Sequence, residues 1–300
     1  MKRSLTVFCS VFAIFLVSMS PVSAGEAADV LSVEDFLDLE EVSAPQISPD
    51  GTKILYTREW VDRMEDRRQS DIWIMNADGS RNRFLTKGSN PLWSPDGTRF
   101  AFTHEGEPKG NQLFVRWLDA AEATQITRVD EPPSSFKWSP DGKTIAFAMR
   151  TPPCDGWKID MPKPPEGATW TEKPRIVEGV YFRQDGRGFM KEGYLHLFMV
   201  SAGGGTPKQL TKGKWNVGAR TYGLEFGAGF DWTPDSKEII FDGLMEDDDP
   251  STSYGRSHLY AVDVATRQVR RLTFHEGPWT GPVVSPGGKS VAFTGFRWTG

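Results

Sequence analysis

The side chains of this sequence that could do chemistry are few, and their spacing decides what each can do. His104, His196, His258 and His275 are dispersed, with no pair at the close spacing a metal requires, so no metal site is expected. Asp50, Asp96, Asp141 and Asp235 have the chemistry of a general acid or base, but each recurs at one place in a repeated turn, which assigns it to the turn. No Gly-x-Ser-x-Gly elbow, glycine-rich phosphate loop or zinc-peptidase helix motif occurs, so the expected catalytic, cofactor-binding and metal residues are none. Cys154 is a lone thiol between Pro153 and Asp155 with no catalytic setting. Glu246-Asp247-Asp248-Asp249 could hold calcium or a cationic peptide and reads better as a solvated loop. Trp157, Trp170 and Tyr181 stand outside every repeat and are the candidates for contact with a substrate or a partner domain.

The elements that must position these residues are set by internal repetition. Five segments share one pattern: Ala44 to Thr57, Asn90 to Thr103, Ser135 to Ala148, Gly229 to Asp242 and Gly281 to Thr294. Their Ser or Thr positions, 48, 94, 139, 233 and 285, are separated by 46, 45, 94 and 52 residues. Steps of about 45 residues are the length of a four-stranded propeller blade. In Ser94-Pro95-Asp96-Gly97, proline pre-sets φ, aspartate bonds back to nearby amides and glycine supplies the left-handed conformation, so each motif joins two strands. Gly287 replaces the aspartate of the last copy and Ser236 the glycine of the fourth, which should leave those two turns least well specified. Each following strand is apolar at consecutive positions, as in Phe100-Ala101-Phe102, and so should be buried on both faces. Trp93, Trp138 and Trp232 directly precede their turns, which points to packing between blades rather than ligand stacking.

A second unit, at Asp71 to Thr86, Gln112 to Thr127, His196 to Thr211 and His258 to Thr273, supplies an apolar strand, a polar turn and a short outer strand closing on threonine. Alternation of the two units predicts an all-β protein, a β-propeller of four-stranded blades, with four complete blades at about 45–86, 90–127, 135–211 and 229–273 and the start of a fifth near 281. An unfinished blade leaves a strand edge unpaired, so the chain is expected to be one piece of a longer protein. The long step from 139 to 233 is one blade with a large insertion at about 150–192, in which Arg175 to Phe182 reads as a strand and 183–188 as a glycine-rich turn. Glu26 to Leu39 carries the one helical pattern, in a lead-in over 25–44.

Residues 1–24 have a basic start at Lys2 and Arg3, an apolar run from Leu5 to Val17 and small residues at Val22-Ser23-Ala24, the organisation of a cleaved signal peptide, with a retained anchor as the alternative. A periplasmic or secreted location follows, with no membrane contact after cleavage. Cys9 leaves with that segment, so no internal disulfide is expected. The net charge of -5 gives no reason to expect nucleic acid as a partner.

The Ser-Pro-Asp-Gly turns with their following Leu-Thr strands resemble the propeller shared by TolB-like proteins and the prolyl-oligopeptidase family of serine peptidases. Ser32 to Gly51 resembles the lead-in, and Val180 to Val200 the expanded blade, of acylaminoacyl-peptidase-like and dipeptidyl-peptidase-like members. The resemblance implies a C-terminal α/β-hydrolase domain as partner, carrying a Ser-Asp-His triad, with the propeller capping it and admitting short peptide substrates. None of the triad positions falls in this sequence. A TolB-like periplasmic protein-binding propeller, with no enzymatic role, is the alternative.

Overall fold

The turn motif shows why this chain folds into small sheets. Ser94 Oγ donates to Asp96 Oδ1 at 2.5 Å, the same carboxylate accepts the amide of Thr98 at 3.1 Å, and Gly97 N closes onto Ser94 O at 2.9 Å with Gly97 at φ +67°. The side chain of the aspartate and the closing amide of the reversal are thereby paired within six residues, and the two strands leave it in register. The same bonds recur around Ser48, Ser139 and Thr233. Ser236, in the glycine position of the fourth copy, takes φ +60° despite its side chain and keeps the closing bond to Thr233 O at 2.9 Å. The last copy, with Gly287, keeps its Gly288 N to Ser285 O bond at 2.8 Å but has no carboxylate in the turn.

A computed structural model describes residues 31–152, 162–171, 176–177, 182–186, 188–218, 220–221, 224–225, 227–245 and 255–298. The segment read as a signal peptide, Cys154, Trp157, Tyr181 and the acidic run 246–249 lie outside the described residues. A short helix, α1 (Val33–Leu37), carries a capping box: Ser32 Oγ accepts the Asp35 amide and the Asp35 carboxylate accepts the Ser32 amide. It forms a unit of its own with the residues up to Leu39.

From Glu40 onward, the strands among the described residues all pair antiparallel within their sheets. The first sheet is a meander of β1 (Glu41–Ile47), β2 (Lys53–Asp62), β3 (Arg67–Asn76) and β4 (Arg83–Lys87). The second is β5 (Ser89–Trp93), β6 (Arg99–Glu105), β7 (Asn111–Trp117) and β8 (Thr124–Gln125). The third begins with β9 (Ser134–Trp138) and β10 (Thr144–Thr151), is interrupted by the hairpin β11 (Arg183–Gln184) and β12 (Gly188–Phe189), and resumes with β13 (Tyr194–Ser201) and β14 (Lys208–Gln209). A two-stranded piece, β15 (Arg220–Thr221) with β16 (Leu224–Glu225), precedes the fourth sheet. That sheet contains β17 (Phe230–Trp232), β18 (Glu238–Gly243), β19 (His258–Asp263) and β20 (Val269–Arg271). A last pair is β21 (Thr280–Val284) with β22 (Val291–Thr294).

Three details differ from the sequence reading. The first strand starts at Glu41 rather than near 45, because Glu41–Ser43 continue the ladder beyond a bulge. Residues 183–188 are two short strands around a turn rather than a turn alone. Three of the four outer strands, β8, β14 and β20, also stop before their threonines, whereas β4 runs through Thr86. Thr127, Thr211 and Thr273 instead use Oγ1 to accept the amides of Leu113, Leu197 and Leu259 at 2.9–3.0 Å, so the hydroxyl replaces a carbonyl in the ladder.

Consecutive sheets pack face to face. Leu55, Ile72 and Ile74 of the first sheet meet Trp93, Phe100 and Phe102 of the second. Ala101, Leu113 and Val115 then meet Trp138, Ile145, Phe147 and Phe198 of the third. Ala146, Ala148 and Leu197 meet Phe230, Trp232, Phe241 and Tyr260 of the fourth. The second strands β6, β10 and β18 are therefore buried on both faces, and the alanines keep the neighbouring sheet close. Each tryptophan ties its sheet to the one before: Trp93, Trp138 and Trp232 donate Nε1–H to the carbonyls of Gln46, Leu92 and Lys137, at 3.0, 3.0 and 3.4 Å.

Candidate functional site

A meander places its first and third turns at one end and its second loop at the other. The tight-turn ends abut: Arg99 Nη2 donates to Gly142 O at 2.8 Å, and Asp141 N to Ser236 Oγ at 3.2 Å. That rim is built of turns closed by the same short hydrogen bonds. The opposite, open rim carries the connections between second and third strands, at 63–66, 106–110, 152–193 and 244–257. Rigid strands holding divergent loops are where binding residues concentrate.

The insertion at 152–193 is the largest of these. Its root is fixed by Arg150 Nη1 on Gly193 O at 2.7 Å and Thr151 Oγ1 on Tyr194 O at 3.2 Å. Gly193, at φ +90°, cannot be replaced, since a Cβ there would fall 1.9 Å from Thr151 O. Lys191 pairs with Glu131 at 3.1 Å and ties the insertion to the loop entering the third sheet. Further out, the described parts present apolar groups to solvent: Trp170, Val177, and a ring pair on the β11–β12 hairpin, Phe182 and Phe189, 6.2 Å apart and about half exposed. Trp170 was legible as a candidate; Phe182 and Phe189 were not singled out, although two aromatics flanking a glycine-rich turn were the available signal.

Three of the histidines pack within the sheets. His196 is buried between Thr211 Oγ1 and Gly213 O, at 3.2 and 3.1 Å, edge-on to Trp215, and burial pushes its pKa down. His258 is buried against the Arg271 guanidinium and Thr273. His104 lies beside Phe114, its pKa also lowered by burial, and the His275 carbonyl accepts the Trp279 indole. The turn aspartates are held ionised by their hydroxyl and amide donors, Asp50 down to about 2, which fits a structural cap and not a proton carrier. Among the described residues no three His, Cys, Asp or Glu side chains gather as metal ligands. What the open rim can do chemically is recognise apolar groups, without a reactive centre of its own among the groups described.

The sequence pattern of the dipeptidyl peptidase IV N-terminal region matches residues 168–294. Among curated proteins, an uncharacterized peptidase, YuxL, of Bacillus subtilis is 30% identical over 227 residues, covering 74% of this chain and 32% of that protein. Dipeptidyl-peptidase 5 of Porphyromonas gingivalis is 24% identical over 298 residues, covering 94% of this chain and 41% of its own length. The chain thus spans about a third to two fifths of the curated relatives it matches. The solved acylaminoacyl peptidase of Pyrococcus horikoshii superposes with a TM-score of 0.60 at 16% identity, over 84% of this chain and 35% of that one, a likeness of fold. Repeat, sheet order and relatives agree: the chain is an all-β domain related to the propeller domains of S9-family serine peptidases, acylaminoacyl peptidase among them, and of TolB.

Proposed function

We propose that this chain is the propeller portion of a periplasmic or secreted two-domain serine peptidase, the cap that limits access to short peptides. The four meander sheets are its blades and β21–β22 is the inner half of a fifth. The observation that carries this reading is the serial stacking of these sheets in chain order together with the similarity to peptidases over most of the chain. The nucleophile, its histidine and its acid belong to an α/β-hydrolase domain outside these residues, where a peptide carbonyl would acylate serine and water would then release the product. The open rim, with its insertion, supplies the contacts that sort substrates by size and apolar character.

The test is to purify the protein from its source, treat it with a fluorophosphonate and measure intact mass and turnover of short chromogenic peptides. A labelled species well above 33.5 kDa that cleaves short peptides and spares a folded protein is the expected result. A species that takes no label and cleaves nothing overturns the reading in favour of a TolB-like binding propeller.

A further inference from the structure

Seven Asp-Gly pairs occur in the chain, at Asp50, Asp78, Asp96, Asp141, Asp155, Asp185 and Asp242, and each carries the chemistry to rearrange its own main chain. The glycine amide nitrogen attacks Cγ of the aspartic acid, and the amide proton leaves with the Cγ hydroxyl as water. The succinimide ring so formed takes up one water at either carbonyl. That step restores aspartate or yields isoaspartate, whose main chain runs through Cβ and Cγ. Glycine obstructs the attack least, having no side chain beside its amide. The reaction needs a glycine nitrogen and a carboxyl group that are both at liberty to meet. Asp155 lies outside the described residues, and the other six can be compared.

At four of the pairs the fold withholds both groups. Gly51, Gly97 and Gly142 give their amides to Ser48 O, Ser94 O and Ser139 O at 2.8–2.9 Å, and Gly79 gives its own to Asn76 O at 2.9 Å. Asp50, Asp96 and Asp141 accept a serine hydroxyl at 2.5–2.6 Å and the amide two residues on at 3.0–3.1 Å. Asp78 accepts the amide and the hydroxyl of Ser80, at 2.9 and 2.7 Å. These donors also keep the four carboxyl groups ionised, and a carboxylate has no hydroxyl to expel. At the fifth, Asp242 is buried in β18 and holds the amides of Gly229 and Gly281, while Gly243 lies in the ladder opposite His258.

Asp185-Gly186 differs on every count. It forms the tip of the β11–β12 hairpin, and both residues are exposed. Among the described residues no donor meets the Asp185 carboxylate and no acceptor takes the Gly186 amide. The hairpin is held by a ladder of two residue pairs, Arg183 with Phe189 and Gln184 with Gly188, and by the bond from Met190 N to Phe182 O at 2.8 Å. Tips of this kind open at low cost, which lets the nitrogen swing towards the carboxyl group. We propose that Asp185 is an isoaspartate-forming site and that the hairpin it caps is remodelled as the protein ages. The product lengthens the main chain by one atom between Gln184 and Gly188 and leaves a carboxylate on the short branch. A ladder of two pairs cannot keep its register around that insertion. Phe182 and Phe189, now 6.2 Å apart, therefore separate, and the apolar surface of the open rim changes with them.

The full protein expressed from its native gene tests this when held folded at neutral pH and growth temperature. Isoaspartate is then mapped site by site, by labelling with an isoaspartyl methyltransferase and by peptide mass spectrometry. Asp185 should gather isoaspartate about tenfold or more faster than each of Asp50, Asp78, Asp96, Asp141 and Asp242, because those pairs must first open. In the urea-unfolded chain that gap should close. Equal rates in the folded protein, or a gap that survives unfolding, overturn the inference. Asp185→Asn and Asp78→Asn give a second reading, since an asparagine expels ammonia in place of water and the reaction then shows as a gain in mass. Neither side chain is ionised, so any difference in rate reports the freedom of the main chain alone. Asp185→Asn should deamidate about tenfold or more faster than Asp78→Asn, and equal rates overturn the inference.

Discussion

The seams between the first four sheets and the seam between the fourth sheet and β21–β22 solve one problem with different chemistry. In the former, an indole reaches back to a carbonyl of the previous sheet. In the latter, Val284 stands where the tryptophan would be, and two carboxylates reach forward instead. Asp231 Oδ2 accepts Val284 N at 2.8 Å while its Oδ1 meets Lys137 Nζ at 3.1 Å. Asp242 Oδ2 accepts Gly281 N at 2.8 Å while its Oδ1 accepts Gly229 N at 3.2 Å. The indole seam combines a large apolar area with a neutral indole–carbonyl hydrogen bond; the carboxylate seam relies on charge-assisted bonds to amides. The first should resist ionic and acid conditions and yield to cavities, and the second should yield to loss of charge.

Trp138→Ala is the sharpest way to break the indole side of this comparison. It opens a cavity between the second and third sheets and leaves the Leu92 carbonyl unpaired, so a loss of about 3–5 kcal/mol is expected in urea unfolding. Trp138→Phe keeps most of the area and should lose about 1 kcal/mol, the share of the hydrogen bond. Similar losses for the two variants would show that the bond, rather than the area, holds the seam.

On the carboxylate side, Asp242→Ala removes the acceptor of two amides at a site only 2% exposed. Stranding buried donors and losing charge-assisted bonds should cost about 3 kcal/mol, with faster amide exchange at Gly281. Asp242→Asn retains an acceptor oxygen and should recover part of that loss. Gly229 belongs to the same arrangement: a Cβ there would lie 2.5 Å from Asp242 Oδ2, which explains glycine at that position without any demand on φ.

The two kinds of seam were unequally legible in the sequence. Trp93, Trp138 and Trp232 recur at one step of the repeat, so their role between sheets could be read directly. Asp231 and Asp242 occupy positions held elsewhere by Gln46, Leu92 and Lys137, or by Thr57, Thr103 and Ala148, and a residue that does not recur carries no periodic signal. Their partners are backbone amides brought near only by folding. The insertion was legible as a break in spacing, and its glycine-rich turn as a reversal, but the short β11–β12 ladder depends on pairing that local propensity does not specify.

Acid should separate the turns in the same way. The carboxylates of Asp50, Asp96, Asp141 and Asp235 titrate below the usual range because serine or threonine hydroxyls and backbone amides bind their ionised form. A depressed folded pKa gives stability that is present above the unfolded value near 4 and is lost as pH falls through the folded value, about 2 for Asp50. The thermal midpoint should therefore fall between pH 4 and about 2, and Asp50→Asn should lose less over that range. The β21–β22 turn, with Gly287 in the aspartate position, should contribute nothing to the acid response, and Gly287→Asp should add to it.

The smallest expected effect concerns the bulge that begins four of the five repeats, all but the one at Gly229. Ala44, Asn90, Ser135 and Gly281 hold the same position at φ +48°, +56°, +45° and +62°, a left-handed conformation that costs a residue with a side chain about 1–2 kcal/mol. At Asn90 and Gly281 the reversal turns an amide towards the preceding sheet, onto Thr57 Oγ1 at 3.0 Å and Asp242 Oδ2, so the strain there is coupled to a seam. Ala44 begins the first sheet and bears the same strain. Ala44→Gly should consequently stabilise the protein, by under about 1 kcal/mol once the extra freedom of glycine in the unfolded chain is subtracted. Gly281→Ala should do the reverse: a Cβ there meets nothing within 4 Å, so its cost would be conformational alone. Equal and opposite shifts in the denaturation midpoint would show that, in the copies that carry it, the bulge is imposed by its hydrogen bonds rather than by the residue that occupies it.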